Sequence, residues 1–109
     1  MEYCSKIALV DNGAEFFNAE AMKLLNLIDT EKSIKDAAST MKISTAKAWK
    51  IIRAIEKHLG EAAVVKSRSE GIDGYKVHIS PACRGLLAKY AEFNEKSQAA
   101  VKELFDRIF

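Results

Sequence analysis

The chain has 109 residues, 49% apolar and 29% charged, a balance that supports one packed core and excludes a disordered, weakly hydrophobic polymer. Its longest apolar run, Ile7-Ala8-Leu9-Val10, falls far short of the ~20 residues that cross a bilayer, and the N-terminus has no signal-like stretch, so a soluble, cytoplasmic protein with no membrane partner is expected. Net charge is only +2, yet residues 32–78 hold ten Lys/Arg against five Asp/Glu, so a basic middle lies between flanks that together carry −3.

Residues 6–10 and Glu15-Phe16-Phe17 read as two short strands around Asn12-Gly13, a pair that tolerates the positive φ of a tight hairpin turn. Asn18 then caps a first amphipathic helix over about 19–31, with Glu20 in its first turn and Met22, Leu24, Leu25 and Ile28 at three- and four-residue spacing. Ser33 caps a second helix, Ile34 to Met41, with Asp36 at its third position. A third runs from Ser44 to Leu59 and stops at Gly60, its buried stripe being Ala48, Ile51, Ile52, Ile55 and Leu59. Residues 63–66 and 75–79 read as strands of a second hairpin, with a charged, glycine-bearing tip. Ser80-Pro81 starts a last helix that runs to the end of the chain, ~40 Å at ~1.5 Å per residue.

Helix, short helix, turn, helix and hairpin is the order of a winged helix-turn-helix. The fold class expected is mainly α with two small β-hairpins (α+β). The expected division is a winged helix-turn-helix domain over 1–79, read below as DNA-binding, and a long helix over 80–109, read below as a dimerisation helix. Two helices crossing tightly need a small residue where they meet, which Ala38 supplies, and apolar neighbours, here Ala37, Met41, Ile43, Ala48 and Ile51. The turn carries Lys42 where glycine is usual, so a lysine is expected in the left-handed conformation.

On the third helix, 100° per residue places Ala46, Lys47, Lys50, Arg53 and Lys57 opposite the buried stripe. Thr45, Ala46, Lys47 and Lys50 are expected at base edges, Arg53 and Lys57 at phosphates, and Ser44 among the DNA-binding residues. Lys35, Lys42, Arg68 and Lys76 would flank the same groove, with the wing over 67–75 beside the duplex. Trp49, at the border of the two faces, is expected to anchor the helix by packing.

Several of these residues coincide with a family pattern. Asn12-Gly13-Ala14-Glu15-Phe16-Phe17 before a Leu-Leu helix, Ser33-Ile34-Lys35-Asp36-Ala37-Ala38, and Ser44 with Ala48-Trp49 resemble the N-terminal winged helix of ModE-type, molybdate-responsive regulators, itself similar to the LysR-type winged helix. Lys32 stands where that family has glycine. The resemblance runs from about Lys6 to the last helix and implies a dimeric, double-stranded DNA-binding transcriptional regulator. The family's molybdate-binding domains have no counterpart in these residues, so no molybdate and no other cofactor is expected.

Cys83, Leu86, Tyr90, Phe93, Ser97, Ala100/Val101, Leu104 and Ile108 follow coiled-coil-like spacing along the last helix. Leu86, Tyr90, Phe93, Val101, Leu104 and Ile108 are therefore expected to form a homodimer seam, unless the helix folds back on its own domain. His58 and His78 belong to no recognisable triad, no HExxH, phosphate-loop or GxSxG motif occurs, and Cys4 and Cys83 form neither a zinc pattern nor a disulfide framework, so neither catalysis nor metal is expected. The competing reading is a winged-helix protein-interaction or dimerisation module without DNA binding.

Overall fold

Four helices are each started by the side chain that the sequence nominates. Asn18 Oδ1 accepts from Ala21 N at 2.9 Å, and Ser33 Oγ from Asp36 N at 3.1 Å. Ser44 Oγ accepts from Lys47 N at 3.0 Å, and Ser80 Oγ from Cys83 N at 3.2 Å, with Pro81 at the first helical position. Each bond satisfies an amide that has no partner inside its helix. The computed structural model describes residues 1–68 and 75–109.

In chain order the elements are β1 (Leu9–Asp11), β2 (Ala14–Phe17), α1 (Ala19–Glu31), α2 (Ile34–Met41), α3 (Thr45–Leu59), β3 (Val64–Arg68), β4 (Tyr75–Ile79) and α4 (Pro81–Ile108). The fold is thus mainly helical α+β, with two antiparallel two-stranded hairpins and a long C-terminal helix. Asn12 (φ 51°) and Gly13 (φ 79°) turn the first hairpin. A register shift follows Leu9, so that Leu9 faces Phe17 while Val10 faces Glu15.

The first strand is shorter than expected and begins at Leu9 rather than Lys6. Residues before it lie along α4 instead: Tyr90 Oη donates to Ile7 O at 2.8 Å, Gln98 Nε2 to Ser5 O at 3.0 Å, and the Tyr3 and Phe105 rings lie 4.7 Å apart. A four-residue β2 offers no ladder for them, whereas the polar groups of α4 do. In β3 the pairing begins at Val64 and runs on to Arg68.

Phe17, Leu24, Leu25, Ile28, Ala37, Ala38, Ala48, Ile52, Ile55, Ile79, Cys83 and Tyr90 form one buried core in which every helix takes part. Complete burial of a Leu or Ile such as Leu25 or Ile52 stabilises the fold by about 1.5–3 kcal/mol. Ala37 and Ala38, both buried, let α2 lie close between α1 and α3. The wing is tied to this body by Val77 N donating to Lys32 O at 3.0 Å and Ser80 N to Ala63 O at 2.8 Å.

Candidate nucleic-acid interface

The turn between α2 and α3 closes on Lys42 at φ 59°, with Ile43 N donating to Ala38 O at 3.0 Å. The left-handed conformation expected of this lysine is present, and Lys32, which ends α1, adopts it too at φ 60°. Both lysines occupy positions where glycine would be less strained.

Beyond the turn, α3 buries Ala48, Ile52 and Ile55 and half-buries Ile51 and Leu59, so its other side is left to solvent. Ser44, Thr45, Ala46, Lys47, Lys50, Arg53 and Lys57 are all exposed, forming one side of the helix from its first turn to its last. Lys35 on α2, Lys42 in the turn and Lys76 on β4 are exposed as well. Arg68 and Tyr75 are placed through their backbones, as the last paired residues of the wing. The tip over residues 69–74, including the acids and glycines read from the sequence, lies outside the described residues.

Trp49 is half-buried against the core, as its border position implies, and it has a second use. The Arg53 guanidinium carbon stands 5.6 Å from its ring centroid, close enough for a cation–π contact that holds the arginine against the helix.

The surroundings of α3 hold acids that helix periodicity could not locate. Glu20 Oε2 lies 3.2 Å from Lys47 Nζ. Glu15, held by Asn18 Nδ2 at 2.7 Å, lines a groove of ≈ 520 Å³ between the first hairpin and α3, with Phe16, Ala46, Lys47, Lys50, Ile51 and Ala54. At the far end of α3 His58 Nδ1 meets Asp11 Oδ2 at 2.7 Å, and its ring stacks on Phe16 with centroids 3.9 Å apart. His58, which belongs to no recognisable triad in the sequence, therefore docks the first hairpin onto α3. His78 pairs with a different group, Ser67 Oγ, across the wing.

No protein-family model and no curated protein matches the chain.

Along α4 the expected dimer positions divide along the length of the helix, the first packed on the core and the later ones largely exposed. Tyr90 does not belong to an outward seam: it is 1% exposed, its ring lies 4.8 Å from that of Phe17, and its hydroxyl is spent on Ile7 O. Leu86 is half-buried against the core and Val101 is half-buried. Phe93 (54%), Leu104 (45%) and Ile108 (68%) remain exposed. Sequence spacing merged these because it gives only the direction about the helix axis: Tyr90 and Ile108, like Leu86 and Leu104, are about five turns apart at ~100° per residue and point the same way, and only the first of each pair lies alongside the core.

Cys83 is buried, and desolvation pushes its thiol up to about 11, whereas Cys4 is exposed; both are free. Among the described residues no group of three His, Cys, Asp or Glu could hold a metal ion, and no helix is long and apolar enough to cross a membrane.

Proposed function

We propose that this chain is a dimeric, sequence-specific double-stranded DNA-binding transcriptional regulator of the winged helix-turn-helix type, reading the major groove with α3 and flanking it with the β3–β4 wing. The observation that carries this reading is the single exposed side of α3. Thr45, Ala46, Lys47 and Lys50 present short and cationic side chains near its N-terminus, Arg53 and Lys57 follow, and a tight left-handed turn at Lys42 precedes it. Lys35 and Lys76 extend the cationic surface to either side, where phosphates would lie. The local resemblance to ModE-type winged helices supports the same assignment, without molybdate. The apolar row Phe93, Leu104 and Ile108 supports a homodimer through α4, which would present two α3 helices to a pseudo-palindromic site.

One observation favours the second reading, a protein-interaction module. Glu15, Glu20 and Asp11 stand close to α3, so the exposed face is bordered by acid rather than uniformly basic.

The deciding experiment measures binding to random-sequence and genomic duplexes across a salt series for wild type and Lys47→Glu/Lys50→Glu. Sequence-selective binding with a steep salt slope, lost in the variant, is the expected result. Equal, weak binding by both at every sequence would give the assignment to the interaction module.

A further inference from the structure

Glu20 occupies the first turn of α1, which Asn18 caps, and its carboxylate reaches across to Lys47 at 3.2 Å. The backbone of Lys47 is fixed separately, its N–H donating to the Ser44 cap at 3.0 Å. The side chain is therefore held at its root by one element and at its tip by another. Both partners remain open to solvent, Lys47 at 52% and Glu20 at 41%, so the contact adds little to stability and lies where an incoming duplex could meet it.

A free lysine is a point charge that any phosphate can satisfy, and such contacts carry no sequence information. An ammonium group has three N–H donors. Engaging one with a carboxylate leaves two, the number of acceptors, O6 and N7, that guanine offers in the major groove. The same carboxylate repels a phosphate approaching that ammonium.

On these grounds we propose that Glu20 is a specificity-determining positioning residue, which holds Lys47 oriented toward a guanine edge and away from the DNA backbone. This inference rests on the DNA-binding reading above.

The test compares wild type, Glu20→Gln, Lys47→Ala and the double variant on two duplexes of equal length, a site selected by the wild type from a random pool and a random sequence, over a salt series. Glu20→Gln is nearly isosteric, and thermal melts establish that each variant is folded. The expected outcome for Glu20→Gln is tighter binding to the random duplex with a log K–log salt slope steeper by about 0.9, the share of one more neutralised phosphate. Its selected-to-random affinity ratio should fall roughly tenfold, within the range of one base contact. In the Lys47→Ala background the same substitution should change neither slope nor ratio. Glu20→Asp, which keeps the charge but shortens the reach, should fall between wild type and Glu20→Gln.

If Glu20→Gln keeps the wild-type slope and ratio while Lys47→Ala lowers the ratio, the inference fails and the DNA reading stands. An equal effect of Glu20→Gln in both backgrounds overturns it too, since Glu20 would then act without Lys47. A wild type that prefers no duplex and is unaffected by Lys47→Ala removes the DNA reading, and this inference with it.

Discussion

The Tyr90 hydroxyl donates to the carbonyl oxygen of Ile7 at 2.8 Å, joining residues 83 positions apart and fastening the N-terminal segment to α4. The ring of the same tyrosine packs on Phe17 in the core. Tyr90→Phe keeps that packing and orphans one carbonyl, so it should cost about 1 kcal/mol in urea unfolding. Tyr90→Ala should cost about 3–5 kcal/mol, the range for emptying a buried aromatic site. If both variants unfold at the wild-type urea midpoint, Tyr90 is not the anchor described.

Lys42 sits at φ 59° in an exposed turn. Lys42→Gly should stabilise the fold by about 0.5–1 kcal/mol, the relief of left-handed strain less the entropy that glycine loses on folding. It also deletes a cation beside the proposed groove, so binding to random duplex should weaken and its salt slope should fall by about 0.9. A variant that is both more stable and unchanged in DNA binding would place Lys42 away from the duplex.

Arg84 donates through both terminal nitrogens to Asp29, at 2.8 and 2.9 Å, linking α4 to α1. These bonds hold the Asp29 carboxyl below its ordinary 3.8. Because the folded-state value is the lower one, the contribution is present above the unfolded value and fades as pH falls through the folded one. Arg84→Ala should therefore lower Tm at neutral pH, with the gap to wild type closing below about pH 4. A gap that stays constant into strong acid would assign the loss to packing of the arginine stem.

The expected seam on α4 has a spacing that reads the same in either direction: Phe93, Ser97, Ala100/Val101, Leu104 and Ile108 are symmetric about the 100/101 bond. In an antiparallel homodimer, that symmetry would set Phe93 of one protomer opposite Ile108 of the other. With Cys4 replaced by Ser, Phe93→Cys/Ile108→Cys should form a covalent dimer on oxidation and Phe93→Cys alone should not. A covalent dimer from Phe93→Cys alone would indicate parallel helices. A strictly monomeric wild type at micromolar concentration in ultracentrifugation would remove the seam altogether.

Much of this protein is set locally. Asn18, Ser33, Ser44 and Ser80 start helices because a short side-chain acceptor reaches an amide three residues ahead, and Gly60 ends one because it accepts positive φ without strain. The repeat of Ala48, Ile52 and Ile55 fixes which side of α3 is buried and hence that Lys47, Lys50 and Arg53 stand outside. Those relations span a turn or two of helix, and a sequence states them directly.

Only the tertiary structure decided which partners distant side chains meet. It turned Tyr90 inward, drew residues 3–7 along α4 in place of a longer β1, stacked His58 on Phe16 beside Asp11, and brought Glu20 to Lys47. Periodicity gives the angle of a residue about its own helix axis and says nothing of what the neighbouring element carries at that height. Pairs such as Glu20 and Lys47 depend on how α1 and α3 cross, which the buried core between them sets collectively.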